Sequence, residues 1–412
     1  MPPQNDIKIL RDLAKRVAEI AAKPSEKKKA MLWTAHNDLK TDIPLVMFDP
    51  DWSAWQELVP WESCSCETNE ARSWELDFRK TIWRNEVLKD DKVADNFFYV
   101  PYDYSMTGWG IDPKKNFSGT KGGAYKIRSV LEDYEKDFCK LRFPQITVDY
   151  KKSSERLEEA QNIFDGILNV EQRSEWWWTL GLTWTLIDLR GFDEFLCDFI
   201  LEPEWLKKLL DFLYREADGR LTFLEKNGLL SQNTGNHYVG SGGCGYTDEI
   251  PQKAPGEPVT AKDMWGFVES QETVSVDPEM YGEFIFPYHK KLMERFSLSC
   301  FACCEPYEPR WKYAKQLHGL RRVSCSPWSN RGVMEELLGK NYVASIKPAP
   351  SSIAYAQFKD DLVRGEIREA LECSKNCIPE LIMKDVHTVG GNPHNAVRWV
   401  EICREEIMRL YG

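Results

Sequence analysis

Apolar positions at helical spacing open the chain. Ile7, Leu10, Leu13, Val17 and Ile20 fall on one face of residues 5–22 and predict an amphipathic helix that packs over another element. A Lys/Glu-rich stretch, 23–30, follows it, and residues 44–48 (PLVMF) read as a short buried strand. Residues 50–125, rich in Trp, Tyr, Pro and Gly, show no sustained period and predict an irregular elaboration without its own core. Helical spacing returns over 127–141, 152–167 and the Leu-rich 203–225.

The second half alternates more regularly. Buried-strand runs at 297–304 (SLSCFACC), 321–326 (RRVSCS), 342–346 (YVASI) and 378–384 (IPELIMK) are separated by helical patterns at 309–318, 330–338 and 358–374. A last helix is expected at 394–410. Short connections and strand–helix order are the pattern of parallel βα units with right-handed crossovers. Runs at 183–187, 229–233 and 264–268 extend the alternation upstream. Seven or eight such units predict a single (β/α)8 TIM barrel over 1–412, with a helix in 1–30 and the elaboration at 50–125. An open doubly wound sheet is the alternative, but no Gly-rich dinucleotide fingerprint follows any strand.

Composition narrows the class. The 412 residues carry a net charge of −11, which disfavours nucleic acid or an anionic membrane as partner. Twelve cysteines are too sparse for a disulfide-stapled scaffold. No signal-peptide pattern and no uninterrupted apolar span is visible, so a cytoplasmic protein is expected. Cys139, Cys197, Cys373 and Cys403 fall in helical patterns and are expected to be buried and inert. The outlier is aromatic content: 16 Trp, 16 Tyr and 19 Phe imply an aromatic-lined cavity or an unusually aromatic core. Trp176, Trp177 and Trp178 cannot all face one core from one element, so at least one should line a cavity or an interface.

A barrel gathers its chemistry at the C-terminal ends of its strands. Those ends carry Cys303-Cys304-Glu305, Ser326-Pro327-Trp328, Lys347, Lys384-Asp385-Val386-His387 and Glu269-Ser270-Gln271-Glu272. Thiolate, carboxylate and imidazole are the side chains that hold zinc, which singles out Cys303, Cys304, Glu305 and His387. The plainer alternative, favoured by spacing alone, is that the Cys pair packs, Glu305 is solvated and His387 caps a helix. The loop 240–245 has glycine flexibility but no P-loop Lys, and the acidic Asp248 and Glu249 follow it. It reads as a lid or substrate loop with Tyr246 as a contact. Trp265 and Trp328 are pocket candidates, Gln271 and Lys347 are further substrate contacts, and Lys347 with Asp385 forms a candidate buried ion pair. Asp248, Glu272 and Glu305 are the candidate acid–base carboxylates. His36, His237, His289, His318 and His394 are expected to be structural or surface groups.

The runs WWWTLGLTWTLIDLRGFDEFLCDFILEPEWLKKLLDFL, DPEMYGEFIFPYHKKLMERFSL, GSGGCGYTDEIP, WGFVESQETV, CCEPYEPRW, LRRVSCSPW and LIMKDVHTVGGNP resemble the uroporphyrinogen-decarboxylase-like superfamily. They are similar to its branch of zinc-dependent, corrinoid-linked methyltransferases, and the likeness runs over nearly the whole chain. The resemblance implies a (β/α)8 barrel, a zinc ion and a partner corrinoid protein, and leaves a homodimer open. Zinc in that branch is held by a His-x-Cys pair and a later Cys. This chain departs from that set and offers Cys303 or Cys304, Glu305 and His387. The activity so implied is removal of a methyl group from a small methoxylated, guaiacyl-type substrate, with zinc as Lewis acid and a partner's Co(I) corrinoid as acceptor. The alternatives are transfer from a methyl-corrinoid to a thiol, and a tetrapyrrole-binding protein without chemistry. The decarboxylases' arginine-rich segment is absent near residues 28–50, and this argues against decarboxylation.

Overall fold

Residues 2–117, 119, 125–254 and 256–412 are described by the computed structural model. Six parallel strands form its central sheet: β1 (Leu45–Pro50), β2 (Trp265–Val268), β3 (Leu298–Phe301), β4 (Leu320–Cys325), β5 (Val343–Ile346) and β6 (Ile378–Val386). Their order is β1-β6-β5-β4-β3-β2, so the last strand lies beside the first. Descending order with that join is the arrangement of a barrel, realised here as a curled sheet of six strands. Helices α1 (Asp360–Glu372) and α2 (His394–Tyr411) flank β6, and α2 covers β1 through the contact of Trp399 with Phe48.

Alternation along the strands separates two environments. Val46, Phe48, Phe301, Val323, Cys325, Ala344, Ile346, Leu381 and Met383 turn outward into the apolar layer under the helices. Their neighbours turn inward, where Arg322, Ser324, Ser345, Glu380 and Lys384 stand beside the apolar Leu45, Met47 and Ile382. Register puts Ser345 beside Glu380, and Arg322 beside Cys300 and Val343. The Arg322 Nε lies 2.9 Å from Glu380 Oε1, with both side chains inaccessible to solvent. His36 Nε2 is 3.3 Å from the other Glu380 oxygen, and Asn37 Oδ1 accepts from Arg322 at 2.6 Å. Lys347 donates to Ser345, and Ser345 donates to Glu380. Burial alone would raise the Glu380 pKa, but Arg322 and then His36 outweigh it and hold it at about 2. Burial lowers Lys347 to about 8, partly offset by Glu380.

The two free edges of the sheet are finished by side chains. On β1, Asp91 Oδ2 accepts from Val46 N at 2.7 Å and Asp90 Oδ2 from Phe48 N at 3.0 Å. On β2, the Asn233 amide donates to Trp265 O at 3.0 Å and accepts from Trp265 N at 2.8 Å, as a neighbouring strand would. Leu180 N adds a bond to Phe267 O at 2.9 Å. These groups satisfy backbone donors and acceptors that would otherwise be buried and unpaired. The expected strand at 229–233 is therefore replaced by a loop.

Other expectations change as well. Residues 183–187 are helical, within Thr183–Arg190, because Thr183, Leu186, Ile187 and Arg190 bury at helical spacing despite the strand-like β-branched content. Residues 127–141 are not one helix: Tyr125–Arg128 pairs with Lys114–Phe117 as an antiparallel ladder, and only a short turn, Tyr134–Asp137, is α-helical. The stretch 50–125 is less irregular than its composition suggests. Its helix Asn69–Trp83 packs with Gln4–Ala21 and Tyr150–Phe164 around Trp74, Phe78, Phe98 and Phe164, a second aromatic core beside the sheet. Cys139 and Cys197 are exposed and Cys373 is half-buried; of the four, Cys403 alone is buried. Among the described residues no helix is long and apolar enough to cross a membrane.

Arg322→Met leaves Glu380 charged without its main partner and is expected to cost about 3–5 kcal/mol. Urea denaturation would read this, and the double variant R322M/E380L should recover most of it. In the wild type the Glu380 contribution is fully present above pH 4.5 and is lost as pH falls towards about 2, because the folded-state pKa is depressed.

Candidate active site

Beyond β3 the chain turns sharply. Ala302 takes φ +68°, a left-handed conformation that costs an L-residue energy, and this turn presents Cys303 at the barrel mouth. The Cys303 Sγ is buried and accepts from Lys384 Nζ at 3.2 Å and Ser241 Oγ at 3.3 Å, with Cys304 Sγ at 3.6 Å. Lys384 is the inward residue at the end of β6, and Asp385 beside it is again left-handed at φ +56°. Ser241 arrives on the glycine loop, where Gly240 has φ +64° and a Cβ would come within 2.7 Å of the Cys300 side chain. That close approach explains the glycine.

The contacts make a stabilised thiolate. The Cys304 hydrogen bond, then the Lys384 charge and the Ser241 hydroxyl, outweigh burial and lower the Cys303 pKa to about 7. Cys304 is raised by giving its hydrogen bond to Cys303 and by burial. Burial works against the Lys384 charge, but Cys303 and Asp385 hold its pKa above the ordinary lysine value.

Three carboxyl groups collect on the neighbouring wall. Glu305 is fully buried and accepts from Ser270 N at 2.7 Å and Cys303 N at 2.8 Å, which ties the ends of β2 and β3 together. Glu269 is pushed well above the usual carboxylate range by burial, then by Glu272 and Glu305. Glu272 is also raised by burial, although Thr183 donates to its Oε2 at 2.7 Å. Oε1 of Glu269 and Oε1 of Glu272 are buried without a hydrogen-bond partner. A groove of about 660 Å3 runs past this wall and is lined by Gln271, Glu272, Cys304, Trp328, Trp184 and Val274.

The structure thus brings Gln271, Glu272, Cys304 and Trp328 to one groove, with Cys303 and Glu305 behind it. The other expected site residues lie apart. Trp265 is buried inside the sheet, its Nε1 donating to Gly245 O at 3.0 Å. Tyr246 packs near Trp33, and Asp248 is exposed next to Asp38, to which its amide donates. Lys347 belongs to the Glu380 network, and Asp385 faces Lys384 at 3.4 Å, so the expected Lys347–Asp385 pair does not form.

The zinc set is not assembled by these residues. His387 points outward and pairs with Asp51, because Val386 and His387 turn to opposite sides. Both Glu305 oxygens are engaged by backbone amides, and the Lys384 ammonium stands where a cation would sit against the Cys303 sulfur. No group of three or more metal-ligating side chains converges among the described residues.

Lys384, Ser241 and Glu269 do not stand out in the sequence as chemical groups of the site. Inward alternation on β6 and β2 is the signal that points to Lys384 and Glu269; nothing in the sequence links Ser241 to Cys303.

No protein-family model and no curated protein sequence matches the chain. Among solved structures of this fold is a methyltransferase from Methanosarcina mazei, 12% identical, aligned over 92% of this chain and 98% of that one with a TM-score of 0.50. At that identity the likeness is one of fold.

The ultraviolet absorbance of the thiolate, taken as wild type minus Cys303→Ser, is expected to grow with half-titration close to pH 7. Lys384→Met removes a charge that favours the thiolate and should move the midpoint upward by about one unit or more.

Proposed function

We propose that the protein is a methyltransferase that takes a methyl group from a small methoxylated compound held in the groove at the barrel mouth. The observation that carries this reading is Glu272, a buried carboxyl group among the residues that line a groove walled by Trp184 and Trp328. Burial raises the Glu272 pKa and so favours its proton-donating form, and an ether needs a proton donor because an alkoxide or phenolate leaves poorly. The fold shared with a methyltransferase agrees with this reading.

The methyl acceptor is the Co(I) corrinoid of a partner protein, which supplies the electron pair for the new bond to the methyl carbon. In this chain, Glu272 gives its proton to the ether oxygen as the C–O pair moves onto that oxygen. Thr183 fixes the carboxyl through Oε2. Burial and Glu272 push Glu269, on the same wall, towards its neutral form, which limits the negative charge near Glu272. Trp328 and Trp184 flank the substrate, and an aromatic ring stacked there gains about 0.5–1.5 kcal/mol beyond burial. The proton donor takes the place of a Lewis acid, and no step runs through zinc.

Glu272→Gln is expected to lower methyl transfer from a methoxyarene panel to a Co(I) corrinoid protein by about 10²–10⁴-fold. The rate of the wild type should fall at high pH as Glu272 loses its proton. Activity is expected to survive exhaustive chelation. One zinc per chain whose removal abolishes turnover, or an unchanged rate in Glu272→Gln, overturns the reading.

A further inference from the structure

The side-chain-finished edge of β2 leaves a cavity that the groove at the mouth does not include. Its walls are Trp176, Trp177, Trp178, Trp265 and Phe267, with Arg173 at the outer end. Three consecutive tryptophans can border it because residues 173–178 belong to no helix or strand and the chain bends at Trp178, so strand alternation does not hold there. Trp176 is anchored by its Nε1 bond to Leu229 O at 2.9 Å, and Trp178 meets Phe267 edge to face at 5.5 Å. The other end abuts the reactive centre: the Trp178 ring, itself partly exposed, is 5.5 Å from Lys384 Nζ, and Gly240, next to Ser241, is part of the wall.

Arg173 is the unusual member. It is half-buried, its Nη1 donates to Gln232 O at 2.7 Å, and its guanidinium lies 5.6 Å from the Tyr99 ring. Among the described residues no carboxylate comes within ion-pair distance of it. A cation drawn out of water without a counter-ion, at the end of a planar aromatic slot, favours an anion attached to a flat ring. A guanidinium offers a fork of donors that matches a carboxylate. Glu175 also lines the rim but is exposed, so solvent weakens its opposition.

We propose that this cavity binds a planar aromatic carboxylate, with its ring between the indoles and its carboxylate on Arg173. The far edge of the ring then points to Trp178 and the Lys384–Cys303 centre. The binding claim stands alone and does not depend on the methyl-transfer reading above, whose donor lies in the separate groove at the mouth.

Calorimetric titration of the full chain tests it with benzoate, benzamide and cyclohexanecarboxylate as probes. Benzoate is expected to bind with a sub-millimolar Kd, and the uncharged and the non-planar probes about tenfold or more weaker. Arg173→Gln should lose benzoate affinity by about tenfold or more, while Glu175→Gln should tighten it. Trp177→Ala, read beside a thermal melt, reports the ring contact independently of Arg173. Absence of benzoate binding, or equal affinity for all three probes, overturns the proposal, and the wild-type panel decides even if a variant misfolds. Benzoate binding without methyl transfer would leave the cavity standing and remove the methyltransferase reading; methyl transfer from an aliphatic donor without benzoate binding would do the reverse.

Discussion

A fully buried carboxylate, Glu380, organises the inside of this barrel. Arg322 from β4, His36 from the N-terminal region and Ser345 from β5 all converge on it, and Lys347 reaches it through Ser345. Removing charges from water is expensive, and such a group persists only where several partners meet it at good distance. The arrangement therefore demands one register of β4, β5 and β6. A slip of one residue in any of them would turn Arg322, Ser345 or Glu380 into the apolar layer under the helices.

The same register delivers the chemistry. On β6 the inward step from Glu380 through Ile382 ends at Lys384, still inside and now at the mouth. There it meets a thiol presented by a left-handed alanine, and the two charges stabilise one another. On the adjoining wall the buried Arg310 gives its hydrogen bonds to Ser270 and Thr273, and burial raises the pKa values of Glu269 and Glu272. One mouth thus holds a thiol whose pKa is lowered beside an ammonium group and carboxyl groups whose pKa values are raised by burial. Glu305 belongs to neither set, since its oxygens serve the backbone.

The unclosed edge is the second organising feature. Asp90, Asp91 and Asn233 stand in for strand neighbours with side-chain oxygens and nitrogens, which satisfies the edge while leaving room beside it. The irregular segment carrying Trp176–Trp178 occupies part of that room. A complete ladder at this position would have filled the aromatic cavity with backbone. Much of the aromatic surplus, however, goes elsewhere, into the core around Trp74, Phe98 and Phe164 and into surface positions such as Trp328.

Strands with apolar runs and short βα connections are legible from local pattern: 264–268, 321–326, 342–346 and 378–384 lie within a residue or two of β2, β4, β5 and β6. The N-terminal helix and the last helix are equally clear, because a 3.6-residue period is a property of the chain itself. So is the gathering of Cys303, Cys304, Glu272 and Gln271 at strand ends. Thr183–Arg190 reads wrongly as a strand because β-branched content speaks for one, whereas its buried positions follow helical spacing only against a neighbour. His387 is misplaced by pattern alone, since one step along a strand reverses the direction of a side chain, whereas Lys347 turns inward as alternation expects but is engaged by Ser345. The point where regular alternation stops is not written in composition. Local periodicity therefore carries the parallel βα rhythm and the strand ends with reactive groups. Packing alone settles that Lys384 and Ser241 attend Cys303, that His387 faces away, and that Arg173 and three tryptophans share one cavity. Most of these pairings join residues scores of positions apart, and hydrogen bonding and charge select them only once the chain is folded.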